Sequence, residues 1–105
     1  DSVAAEQWVM SAVNEKPNSP QLWYELGWLR YQAGKDEEAV TALARALAAD
    51  PYFSNARYFL ALSYERSGNL GAALAEFEKV LAVNPDRADL RETVERLRSS
   101  LPPHG

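Results

Sequence analysis

Apolar residues along the chain recur at spacings of three and four, the pattern of helices that bury one face. This pattern is interrupted five times by short segments rich in Gly, Pro and Asn, at 17–18, 34–35, 51–53, 68–69 and 84–86. Such segments end helices because Pro cannot continue one and Gly accepts the left-handed conformation that follows one. We therefore predict an all-α chain of about six helices, near residues 1–16, 20–33, 36–50, 54–67, 70–83 and 87–99.

The second predicted helix is apolar on three sides. Its apolar positions form three stripes: Trp23, Leu26 and Gly27; Leu22 and Leu29; and Tyr24, Trp28 and Tyr31. A helix of this kind must be covered on several sides, or it leaves one side for a partner. The third stripe is the one for which the sequence offers both interpretations.

A period of 34 residues organises the chain. Pro17, Pro51 and Pro85 are 34 residues apart, and Gly34 and Gly68 share the same interval. Small and large apolar residues follow in phase, as in the sets Ala5, Ala39, Ala73 and Val9, Leu43, Phe77. So many agreements in size and polarity indicate a repeated unit of two helices.

The last predicted helix differs from the others because it has a single apolar stripe, formed by Leu90, Val94, Leu97 and Leu101. Its remaining faces are charged, with Glu92 and Arg96, and Arg91 and Glu95, at the i, i+4 spacing of an ion pair. We expect this helix to cover the preceding pair, to meet water on its other side and so to end the stack.

The chain resembles the tetratricopeptide repeat family, whose unit is a 34-residue helix-turn-helix. In residues 20–53 the matching positions are Trp23, Leu26, Gly27, Tyr31, Gly34, Ala39, Leu43, Ala46 and Pro51. In the next unit they are Leu60, Ala61, Tyr64, Gly68, Ala73, Phe77, Val80 and Pro85, whereas Arg57 and Arg30 depart from the pattern. The resemblance implies one domain, a right-handed superhelical stack of antiparallel helix pairs. It would comprise the second helix of a partial repeat (1–18), two repeats (20–53 and 54–86), a capping helix (87–101) and a tail (102–105).

The resemblance also implies a scaffold that holds a peptide or protein on a concave groove lined by the first helix of each pair. By register, the candidate binding residues are Tyr24, Trp28, Tyr31, Tyr58, Leu62, Glu65 and Arg66. Trp28 carries the most weight, because Tyr24 and Tyr31 stand where relatives often use Tyr for packing. The family's basic clamp for a C-terminal carboxylate is not supported, since Tyr24, Trp28 and Phe59 replace it. Packing between helices remains the alternative interpretation of the aromatic residues.

A second candidate surface lies on the first helix. Without a preceding partner helix, Trp8, Val9 and Val13 are expected to be partly uncovered. Such a patch indicates either a missing upstream repeat, since the chain starts at Asp1 and not at Met, or self-association into a homo-oligomer. A further alternative is a non-catalytic tail of a larger enzyme or membrane protein.

Composition narrows the function classes. The net charge of -4 gives no general attraction to nucleic acid, and no apolar run reaches the length of a membrane-spanning helix. The chain has no Cys, and its one His, His104, lies in the tail, which is a poor place for a catalytic group or a metal ligand. We therefore expect a soluble, non-enzymatic protein without metal or cofactor, and leave open a bacterial cytoplasm or a periplasm as part of a larger protein.

Overall fold

The computed structural model describes residues 1–102, and within them the chain forms six α-helices. They are α1 (Ser2–Glu15), α2 (Pro20–Gln32), α3 (Asp36–Ala49), α4 (Ser54–Arg66), α5 (Leu70–Val83) and α6 (Ala88–Ser100). Successive helices pack on one another along a body about 45 Å long and 25 by 24 Å across. The prediction of an all-α solenoid of about six helices is confirmed.

The helices begin and end where turn residues occur. The Ser19 hydroxyl accepts a hydrogen bond from the Leu22 N–H at 3.2 Å and caps α2, whose first residue is Pro20. After α2 and α4 the chain turns through Gly34 and Gly68, at φ of 78° and 90°. Residues with a side chain rarely adopt these angles, so Gly is required at both turns.

The core consists of three clusters in series, one for each step along the stack. The first joins α1 to α2 and α3, the second joins α2, α3 and α4, and the third joins α4, α5 and α6. Their most deeply buried large side chains are Leu26, Leu43, Phe77, Leu90 and Leu97. Each helix therefore depends mainly on its neighbours, as in other repeat architectures.

The α2–α3 pair crosses closely at Gly27. A Cβ atom built on Gly27 would lie only 2.5 Å from Cγ of Leu43, so no side chain fits there. Ala61, the equivalent residue 34 positions later, is fully buried in the cluster of α4 and α5. Small residues at this register position allow paired helices to approach closely.

The first helix differs from its expected state. Val9 and Val13 are buried against α2, in a cluster with Leu26 and Ala42, so the expectation that both are partly uncovered is wrong. Trp8 lies on another side of α1 and is 69% exposed, with Val3 and Met10 also exposed. The apolar residues of α1 that face α2 are buried, and its exposed apolar residues lie on its other sides.

The last helix buries Leu90, Val94 and Leu97 and exposes its charged residues. Two of its arginines form ion pairs with earlier helices: Arg96 bonds Glu65 of α4 at 2.9 Å, not the predicted Glu92, and Arg98 bonds Glu78 of α5. Of the predicted tail, residues 102–105, only residue 102 is among the described residues, and His104 lies outside them. Between residues 1 and 102, no helix is both long and apolar enough to cross a membrane.

Candidate functional site

Three tyrosines of α2 and α4 pack around one ring, that of Phe59. Its centroid lies 5.4 Å from Tyr31, 5.6 Å from Tyr58 and 6.2 Å from Tyr24. The structure therefore brings together three of the aromatic residues predicted for the groove. Edge and tilted contacts at these distances are favourable, so the rings support one another.

Tyr24 packs toward the start of α4. Its ring packs on Phe53 with 4.9 Å between centroids, and the side chain is half-buried. Burial raises the pKa of the Tyr24 hydroxyl above its ordinary value. Tyr24 thus forms part of the wall between α2 and the start of α4, which is the packing role that the sequence left open.

Arg66 covers Tyr31. Its guanidinium carbon lies 3.9 Å from the centre of the Tyr31 ring, its Nε donates to Oδ1 of Asp36 at 2.7 Å, and it also donates to the Tyr31 carbonyl. The hydrogen bond to Asp36 raises the pKa of Arg66 further above its already high value. One arginine therefore links α4 to both helices of the preceding pair.

The charged residues toward α6 are also paired. Glu65 accepts from Arg96 at 2.9 Å, and the Arg87 guanidinium lies 5.2 Å from the Tyr58 ring while bonding Asp89 at 2.7 Å. The Arg87 hydrogen bond lowers the pKa of Asp89. Since these charges are already compensated, the surface presents paired ions to a ligand, not a field of one sign.

Trp28 stands apart from this network. It is 40% exposed, the only residue of α2 or α4 among the large exposed apolar side chains of the described chain. By helical spacing it lies on the stripe of Tyr24 and Tyr31, one turn from each. Leu62, by contrast, is half-buried against the cluster of α4, α5 and α6. Of the seven predicted residues, Trp28 has the most apolar surface available to a ligand.

Phe59, the centre of the aromatic cluster, was not among the candidate binding residues, although the sequence analysis placed it at a position of the family's clamp. A signal was present, because Phe59 lies three residues before Leu62 and seven before Arg66, on the stripe already assigned to the groove. Tyr58 beside it, with its hydroxyl, was the more conspicuous candidate. Asp36, the partner of Arg66, was not singled out in the sequence analysis.

The groups on this surface suit contact and hydrogen bonding. Among residues 1–102, no three acidic or His side chains are placed to hold a metal ion. The same residues contain no buried side-chain polar atom without a hydrogen-bond partner. What the surface offers is an exposed indole one helical turn from a cluster of packed aromatic rings, together with paired charges.

Comparisons with known proteins agree with this architecture. The chain is 36% identical over 72 residues to a peroxisomal targeting signal receptor of Kluyveromyces lactis, covering 69% of this chain and 12% of the receptor. Among solved structures, the first tetratricopeptide domain of Spaghetti bound to an HSP90 peptide superposes with a TM-score of 0.86 at 15% identity, covering 94% of this chain and 79% of that one. A thermophilic tetratricopeptide protein of Thermus thermophilus gives 0.76 at 27% identity, covering 91% and 49%.

Two family models match the sequence of this chain. Two models described as Tetratricopeptide repeat match it, one at residues 20–53 and the other at residues 37–97, which is more than half of the chain. The 34-residue period, the close helix crossing at Gly27 and the last helix that covers the preceding pair all have the same explanation: this protein belongs to the tetratricopeptide repeat family.

Proposed function

We propose that this chain is a protein-interaction module that binds a peptide segment in the groove of α2 and α4, with Trp28 as its main contact. The observation that carries the proposal is the exposure of Trp28 one helical turn from Tyr31, whose ring packs on Phe59. Trp supplies a large contact area with few torsions to freeze, which is why it dominates many interfaces.

The relatives support the class of partner. The Spaghetti domain holds an HSP90 peptide, and the receptor from Kluyveromyces lactis is named for a targeting signal. This chain spans about an eighth of that receptor's length, 12%, so only the general property of holding a peptide is carried over. The proposal concerns binding alone and includes no catalytic step.

The preferred peptide is apolar. Glu65 and Arg66 are committed to Arg96 and Asp36, so a charged ligand would have to displace existing ion pairs. An aliphatic or aromatic side chain that packs on Trp28 removes apolar surface from water, and no ion pair has to be broken. We therefore expect binding in this groove to depend weakly on salt.

The test compares the wild type with Trp28→Ala in a peptide-library screen, followed by titration of the recovered peptides. Loss of a large buried aromatic contact should weaken binding at least tenfold, with the helical melting curve unchanged. Trp8→Ala is the matched control, because Trp8 is an equally large exposed residue on a different helix. Equal recovery of peptides by wild type and Trp28→Ala would refute the groove proposal.

A second candidate function is self-association through α1. It is favoured by the exposure of Trp8, which exceeds that of Trp28, together with exposed Val3 on the same helix. Light scattering across a concentration series should then show dimers that Trp8→Ser removes. A strict monomer at millimolar concentration would remove this candidate.

A further inference from the structure

A pocket of about 240 Å³ lies on the side of α2 turned away from Trp28. Its lining comes from three helices: Met10, Val13 and Asn14 of α1, Trp23, Leu26 and Arg30 of α2, and Thr41 and Arg45 of α3. The volume is below that of pockets for drug-sized ligands and suits one large side chain. Trp23, Leu26 and Arg30 occupy a different face of α2 from Tyr24, Trp28 and Tyr31, so this pocket is separate from the groove.

The walls of the pocket are fixed. The Trp23 indole N–H donates to the Pro17 carbonyl at 2.7 Å, which sets the orientation of the ring. Arg30 bonds Glu6 at 3.3 Å and the Glu38 carbonyl at 3.2 Å, so its charge is compensated and its position is held. A rigid apolar pocket needs little ordering when a ligand enters.

Arg45 is the exception among the cations of the lining. Its guanidinium lies 5.1 Å from the centre of the Trp23 ring, and no carboxylate in residues 1–102 is within ion-pair distance of it. Contact with a ring face leaves the N–H edges of a guanidinium available to a carboxylate.

The second repeat shows which groups surround the cation at this register when an acid is present. Residues 34 positions later are Arg57 for Trp23 and Lys79 for Arg45, and both bond Glu76, at 2.6 and 3.2 Å. Glu76 corresponds to Ala42, which is fully buried and offers no charge. The first repeat therefore combines an aromatic wall with a cation that lacks the acid found in the second.

From these observations we infer a second binding site, in which this pocket takes an aliphatic side chain of an acidic peptide segment and Arg45 bonds the carboxylate of the neighbouring residue. The side chain occupies the space between Met10, Val13 and Trp23, and the carboxylate contacts the N–H groups of Arg45, as the Glu76 carboxylate contacts Lys79 in the second repeat. This site does not depend on the groove, and both can be occupied together.

The test is a titration of the isotope-labelled protein with acetyl-Ser-Glu-Leu-Glu-Ser-amide, followed by backbone amide resonances in NMR. The peptide should shift the amides of Val13, Trp23 and Thr41 in a saturable way. Replacing both Glu of the peptide by Gln should weaken binding about two- to fivefold, the size of an exposed ion pair. Replacing its Leu by Ala should weaken binding about tenfold or more because apolar burial is lost.

Protein variants make the assignment specific. Arg45→Gln should reproduce the loss caused by the Gln peptide and remove the salt dependence of binding. Lys79→Gln, the same change at the same register in the second repeat, should leave the affinity unchanged. The inference is overturned if the peptide produces no saturable shift, if Arg45→Gln binds like the wild type, if Lys79→Gln has an equal effect, or if the shifts map to Tyr24 and Trp28.

Discussion

One absent methyl group decides how closely α2 and α3 pack. The built Cβ of Gly27 meets Leu43 at 2.5 Å, and Leu43 is fully buried, so it has no room to withdraw. Gly27→Ala should therefore overpack the crossing and lower the free energy of unfolding by about 1–3 kcal/mol. Urea denaturation followed by circular dichroism measures this change.

Gly71 provides the matched control, since a Cβ there meets nothing within 4 Å and the residue lies in the first turn of α5. Gly71→Ala should leave stability unchanged or raise it by up to about 1 kcal/mol, through better helix propensity. If both variants destabilise the protein equally, the steric explanation of Gly27 is wrong.

Glu6 makes stability depend on pH. Its pKa is lowered below the ordinary value of 4.5, chiefly by the hydrogen bond from Lys35 and also by Arg30. A lowered pKa in the folded state means that the stabilisation is present well above pH 4.5 and is lost as the pH falls through the folded value. Glu6→Gln should flatten the fall in melting temperature between neutral pH and the acid range.

The exposed Glu95 of α6 serves as the comparison for Glu6. Glu95→Gln should reproduce the pH profile of the wild type, since Glu95 makes no ion pair within residues 1–102. A Glu6→Gln profile that parallels the wild type would show that the contacts with Lys35 and Arg30 do not contribute.

The sequence predicts the packing roles of some side chains but not the ion-pair partners of others. Gly27, Ala39 and Leu43 were predictable as packing residues because the 34-residue period and helical spacing both place them on the shared face. The partners of Arg66 and Arg96 were not predictable, since they lie 30 and 31 residues away on other helices. A long Arg or Lys side chain can reach several carboxylates, and the folded structure determines which of them it pairs with.

Between elements, the α4–α5 pair is held by an ion pair that the α2–α3 pair lacks. Arg57 and Glu76 lie 2.6 Å apart, with side chains only 19% and 13% exposed. Glu76→Gln leaves the guanidinium of Arg57 with a weaker partner, and we expect a loss of about 1–3 kcal/mol, between the values for exposed and buried pairs. Thermal melts at pH 7 provide the measurement.

The neighbouring pair of Arg98 and Glu78 is the control for that prediction. Its side chains are 58% and 41% exposed, so Glu78→Gln should cost no more than about 1 kcal/mol. Equal losses in the two variants would show that burial does not set the value of these ion pairs.

Helix ends were the most predictable feature at this scale, and the burial of the first helix the least. Ser19-Pro20 and Gly68-Asn69 specify local conformations that need no tertiary information. The exposure of Trp8 and the burial of Val9 depend on which side of α1 meets α2, and a helix with apolar residues on several sides leaves that choice to packing.

For the whole molecule, three clusters in series mean that stability is distributed locally. Leu97 is fully buried where α6 covers α5, so Leu97→Ala should cost about 2–5 kcal/mol. Hydrogen exchange should show lost protection in α6 and α5 first, with α2 and α3 retaining theirs, as expected for a stack of nearest neighbours. Uniform loss of protection along the chain would instead indicate a single cooperative unit.

The three tryptophans of the chain happen to lie in three different environments. Trp8 is on the exposed side of α1, Trp23 forms a wall of the pocket beside Arg45, and Trp28 lies in the groove. Uniform labelling with fluorotryptophan would therefore give three ¹⁹F signals, one for each surface on which a partner has been proposed. The signal that shifts on addition of an unknown ligand would therefore show which surface the ligand binds, before any variant is made.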